Sequence, residues 1–150
     1  MTNTKSTQNA NSLYARWLKG TQTRFAIAKR DPGGFKGPYK SKSAAYSVET
    51  DGEGNVTREV TSFLMRLNAN DSIYKVSRVA AIGENGKKAY TYAVAPVAEG
   101  SKWNQQLKAD AEPTFTHTGP NSGAGMRALS YALMELFEGV KAPQKAPIAG

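Results

Sequence analysis

Residues 71–97, "DSIYKVSRVAAIGENGKKAYTYAVAPV", decide the fold. Two runs rich in Val, Tyr, Ile and Thr flank Asn85-Gly86. That dipeptide suits a two-residue type I′ turn, whose central residues both need positive φ. Strands paired around it set Val79 opposite Tyr92, Ala81 opposite Tyr90 and Ser77 beside Val94, a bulky face fit for a core. The other face pairs Ala80 with Thr91, Arg78 with Ala93 and Val76 with Ala95. A solvated sheet face normally carries longer polar side chains. This one is small, so it suits either a polynucleotide laid against it or a covering helix or chain.

Working outward, "AAYSVE" and "VTREVTSFLMRL" flank "TDGEGN", a second hairpin, and "EPTFTHT" reads as a further strand. In "GPNSGAGMRALSYALMELFEGV", Asn121 or Ser122 can cap a helix that Gly139 ends. Met126, Leu129, Leu133, Leu136 and Phe137 share one face of it, and Tyr131, Ala132, Met134 and Val140 widen the apolar surface. Such a helix needs cover on more than one side. Its own sheet supplies one cover; a second subunit, or else the N-terminal segment, supplies the other. The fold expected is therefore α+β: an antiparallel sheet of hairpins and meander with five to seven strands, then a long C-terminal helix, forming an intertwined dimer.

Toward the N-terminus, residues 1–12 are polar and read as mobile. "SLYARWLKG" suits a short helix stopped by Gly20, "TRFAIAKR" alternates like a strand, and "DPGGFKGPYKSKS" reads as an exposed loop. Three regions result: a basic, aromatic-containing arm over 1–45, the sheet and helix over 46–140, and a flexible tail over 141–150.

Charge is the informative part of the composition. Of 20 basic residues in the 150-residue chain, nine lie in the first 45 with one acid, Asp31, so that segment carries the entire net charge of +8. A basic segment on a neutral body is the footprint of a polyanion binder. Rings alternate with its cations: Arg16, Trp17 and Lys19, then Arg24 beside Phe25, Lys29 and Arg30, Phe35 with Lys36, and Tyr39 with Lys40 and Lys42. Cations that track a backbone and rings that stack bases suit single-stranded nucleic acid, at ~1–3 kcal/mol per stacked base. Trp17 and Phe25 read equally well as core residues. Lys75, Arg78, Lys87, Lys88 and Thr91 place further cations and a hydroxyl around the small hairpin face.

Catalytic signals are weak. His117 is the single histidine and there is no cysteine, which excludes a His-rich or thiolate metal site. "GENGKK" lacks phosphate-loop spacing and "DGEGN" is too short for an EF-hand. The chain reads as a non-enzyme with no cofactor and no metal. No membrane-length apolar run and no signal peptide is visible, so a virion or host-cytoplasm location is expected.

From about residue 48 to 140 the order of features resembles the coat proteins of small single-stranded RNA bacteriophages. The resemblance rests on "VETDGEGNVTREV", "IYKVSRVAAI", "KKAYTYAVAPVAEG", "EPTFTHT" and "MRALSYALMELFEG". It implies an RNA-facing sheet, C-terminal helices that interlock in a dimer, and RNA contacts at Lys75, Ser77 or Arg78, Lys87 and Thr91. The hairpin register above separates Ser77 from Arg78 and Thr91. The first 45 residues have no counterpart in compact members of that family. Two alternatives remain: a phage-type single-stranded DNA-binding protein, and a phage tail or decoration subunit without nucleic acid.

Overall fold

Two short glycine turns set the sheet. The computed structural model describes residues 2–35, 43–67, 72–83, 85–97 and 112–141, with residues 2–11 described by backbone alone. Asp51 and Asn55 close the first turn around Gly54, at φ 86°, and the Asp51 carboxylate accepts from the Glu53 and Asn55 amides. Gly83 and Lys87 close the second, with Gly86 at φ 76°. These turns link β1 (Ala44–Thr50) to β2 (Val56–Leu67) and β3 (Ser72–Ile82) to β4 (Lys88–Pro96). With β5 (Phe115–Gly119) they make a five-stranded antiparallel sheet in chain order. A C-terminal helix, Ser122–Glu138, follows. The fold is α+β, as the hairpin pattern and the terminal helix predict.

The register differs from the expected one by a single residue. Arg78 pairs with Tyr92, Val79 with Thr91, Ala80 with Tyr90 and Val76 with Val94. Asn85-Gly86 does not form a two-residue turn. The Gly83 amide donates to the Lys87 carbonyl, so three residues lie between them, and Gly86 takes a left-handed position. The Asn85 side chain accepts from the Lys87 amide instead. A one-residue slip exchanges partners between the two faces. Tyr92, Tyr90 and Val94 therefore share a face with Arg78, Ala80 and Val76, while Thr91, Ala93 and Ala95 share the other with Val79, Ser77 and Lys75.

The N-terminus departs further from expectation. Residues Thr2–Arg30 form one helix, α1, which runs through Gly20 and through the predicted strand at 23–30. Its inward residues are Tyr14, Trp17, Leu18, Thr21, Phe25 and Ala28, a 3- and 4-residue spacing that outweighs the local alternation. The buried Thr21 hydroxyl donates to the Trp17 carbonyl one turn back, so it enters the core satisfied. Helix α1 ends where Pro32 follows Asp31, because the residue before a proline is disfavoured in helical conformation. A 3₁₀ turn over Pro32–Gly34, capped by the Asp31 carboxylate on the Gly34 amide, then delivers Phe35 into the core.

Helix α2, Ser122–Glu138, is capped by the Asn121 side chain on the Ala124 amide and ends at Gly139 in the left-handed conformation. Both helices lie on the same face of the sheet. There Phe63, Met65, Val76, Tyr92 and Val94 meet Phe25, Ala28, Met126, Leu129 and Leu133. Helix α2 approaches β4 so closely at Gly125 that any β-carbon there would collide with the Tyr92 ring. The Tyr92 hydroxyl donates to the Ser122 carbonyl beside it.

Replacing Phe25 by Ala should lower unfolding free energy by ~3–5 kcal/mol in urea titrations, the usual range for truncating a buried aromatic ring. For the same reason a chain lacking residues 1–42 should be unfolded, with the near-ultraviolet dichroism of its buried rings lost. A truncated chain that keeps a cooperative transition would contradict the shared core.

Candidate nucleic-acid interface

The two faces of the sheet have opposite roles. The helix-covered face holds the large side chains. The opposite face carries no described helix, and toward the turns it is lined by Ser77, Val79, Ala81, Ala89, Thr91 and Ala93, all partly exposed. Thr116 and Thr118 of β5 extend it, with Thr91 and Thr118 hydroxyls 3.0 Å apart. Ser62, Leu64 and Ala95, farther along, are buried. Lys75 and Arg66 stand on this face at one end; Arg58, 2.9 Å from Glu49, stands at the other. A floor of methyls and hydroxyls between cations admits a sugar-phosphate backbone closely and offers partners to its hydroxyls.

Of the residues expected on the sheet, Lys75 and Thr91 lie on this face, together with Ser77. Arg78 does not. It sits under α1, with its guanidinium 5.0 Å from the centre of the Phe25 ring and 3.9 Å from Glu59. Lys87 closes the β3–β4 turn, and Lys88 points to the helix side, 5.9 Å from the centre of the Tyr90 ring. Sequence reasoning missed Arg66, Thr116 and Thr118. Their place depends on which face is open, and the hairpin's one-residue slip obscured that.

The rings expected to stack bases serve other ends. Phe25 and Phe35 are 1% and 4% exposed. Phe25 meets Phe63 and Tyr92 edge-on, with centroids 4.9 and 6.0 Å away. Trp17 packs against Phe137, and its indole N–H donates to Glu138 at 3.0 Å. These rings are corrected from base platforms to core. Lys36, Tyr39, Lys40 and Lys42 lie outside the described residues, as does the tail from 142. Arg16, Lys19, Arg24 and Arg30 line the outward side of α1, and Lys29 reaches Glu59 at 3.2 Å. The cations from Arg16 to Arg30 and the small sheet face thus lie on opposite sides of the sheet.

The expected dimer seam is also turned inward. Leu129 and Leu133 are fully buried and Met126 nearly so, while Leu136 and Phe137 pack against the same core. Their second cover is α1: Tyr14 stacks on Tyr131 at 3.9 Å, and Trp17 lies on Phe137. The N-terminal segment, the other cover considered from the sequence, does this job. What remains beside α2 is a groove of about 460 Å³ lined by Val94, Phe115, Ala132 and Leu136, along β5, the last strand of the sheet.

Glu59 joins α1 to the sheet. Burial alone would raise its pKa, but hydrogen bonds from Tyr46 (2.7 Å) and Lys29, with the charges of Lys29 and Arg78, hold it below its ordinary value of 4.5. The same bond raises Tyr46. No protein-family model, curated protein or solved structure matches this chain.

Since the folded-state pKa of Glu59 is depressed, its stabilisation is complete above 4.5 and is lost as the pH falls through the folded-state value. Glu59→Gln should therefore be less stable than wild type at pH 7, with the gap narrowing as the pH is lowered below 4.5 in urea titrations. A gap that stays constant with pH would show that the carboxylate charge does not hold α1.

Proposed function

We propose that this chain is a non-enzymatic, self-associating protein that binds single-stranded RNA on the sheet face opposite the two described helices, in the manner of a small RNA-phage coat protein. One observation carries the reading: Lys75, Ser77 and Thr91 share a face of small and hydroxyl-bearing residues opposite both helices. The succession of an antiparallel meander and a terminal helix supports it at the level of fold. A virion or host-cytoplasm location goes with the same reading.

RNA is favoured over DNA because the open face carries hydroxyls rather than rings. Tyr74, Tyr90 and Tyr92 all fall on the helix side, so stacking, the main device of sequence-tolerant DNA binders, has no platform among the described residues there. Hydroxyl and cation contacts read a ribose backbone instead. Self-association uses a surface other than the buried α2 stripe. The outer edge of β5, unpaired among the described residues, beside the groove under Ala132 and Leu136, is the most suitable one.

The alternatives are distinguishable by expression. Closed shells holding host RNA in electron micrographs are expected. Filaments that form only on single-stranded DNA would favour the DNA-binding reading, and nucleic-acid-free assemblies would favour a tail or decoration subunit. Thr91→Glu, which puts a carboxylate in the middle of the floor, should weaken oligoribonucleotide binding at least tenfold in filter binding without loss of fold. Unchanged affinity would remove the sheet face from the account.

A further inference from the structure

Six cations and no acid lie on α1. Such a helix cannot neutralise itself through pairs one turn apart, and its like charges repel. Lys29 is the one with an ion-pair partner among the described residues, Glu59. Arg16, Lys19 and Arg24 instead border an open cleft of about 640 Å³ between α1 and the 3₁₀ turn, with Thr23 and Gly34 also in its walls. Asp31, the only acid of the first 45 residues, is turned to the Gly34 amide, and Glu138, which borders the adjoining hollow with Arg16 and Arg24, accepts from the Trp17 indole, so these three have no ion pair among the described residues.

Arg24 is the informative member. It is partly buried, and burial lowers its pKa, yet it makes no ion pair with any described residue. Its guanidinium lies across Gly20, where a β-carbon would sit 3.4 Å from Nη1. Glycine is a poor residue for a helix interior, and here it leaves room for the arginine to lie along the helix surface. A planar guanidinium held this way presents a fork suited to two oxygens of one phosphate. Arg16 and Lys19 continue the row over about 12 Å of helix axis, at a rise of ~1.5 Å per residue.

We infer that this cleft is a second nucleic-acid site, which grips the phosphates of a single strand on the side of the molecule opposite the sheet floor. The inference rests on the proposed function for the identity of the ligand. Its consequence is specific: one chain holds two strand segments at once, one on each side, and so can bridge them.

The test counts short oligouridylates per chain by native mass spectrometry, with affinities followed against salt. Wild type should bind two per chain. Arg16→Gln/Lys19→Gln, both exposed positions, and the triple variant with Arg24→Gln should each bind one. The cleft's own salt dependence is read on the Thr91→Glu chain, where three phosphate contacts should give a slope of log affinity against log salt of about −2. Thr91→Glu should also leave one, the other one. If wild type binds one and only Thr91→Glu removes it, the inference fails and the sheet reading stands. If only the cleft variants remove it, the cleft stands and the sheet reading fails. If polyglutamate displaces the oligonucleotide from the Thr91→Glu chain as readily as oligouridylate does, the cleft is a general acidic-polymer surface and the inference is overturned.

Discussion

Phe25 is the wedge on which the architecture depends. Its ring enters the sheet with its edge toward Phe63 and Tyr92, while the Arg78 guanidinium lies over its face. Edge-to-face rings and a desolvated cation–ring contact are directional as well as apolar, so they fix the helix's position and not merely its burial. Tyr92 passes the constraint on. It fills the space over Gly125 and donates to the Ser122 carbonyl, and thereby seats the start of α2. The two helices then meet through Tyr14 on Tyr131 and Trp17 on Phe137.

Everything of functional interest follows from that docking. Because both described helices take one face, the floor of small side chains toward the turns on the other carries no described helix. Because the inward stripe of α1 is apolar, Arg16, Lys19 and Arg24 are turned outward, where they border a cleft. The polar cluster of Glu59, Lys29, Arg78 and Tyr46 sits at the boundary between the two regimes. It eases a costly arrangement, a guanidinium beneath a helix whose Nε is buried with no hydrogen-bond partner, by setting 3.9 Å away a carboxylate that the lysine and tyrosine also share.

Much of the sheet and all of α2 were legible in the sequence, because turn residues and caps act locally. Gly54, Gly86, Asn121 and Gly139 each stand where their backbone or side chain is needed. Two features were not legible, both for physical reasons. "TRFAIAKR" alternates over a few residues, and the longer spacing from Tyr14 to Ala28 that makes it helical crosses Gly20, a residue that reads as a stop. The face of each strand hung on whether Asn85-Gly86 closes a two- or a three-residue loop, a choice of one hydrogen bond that reassigns every cross-strand partner. The candidate site inherited both ambiguities. Thr91 lies on the face without a described helix, Arg78, expected beside it, lies on the other, and Trp17, Phe25 and Phe35 looked like stacking rings because aromatics beside cations suit a core and a nucleic-acid groove alike.

The central claim is that strand is bound on one face of the sheet and core on the other. Chemical-shift changes along β3 and β4 on adding a short oligoribonucleotide test it most directly, since neighbouring residues point to opposite faces. The account predicts a two-residue rhythm: Ser77, Val79, Thr91 and Ala93 side chains shift, whereas Val76, Ala80, Tyr92 and Val94 do not. Shifts confined to the second set, or spread evenly over both, would contradict it.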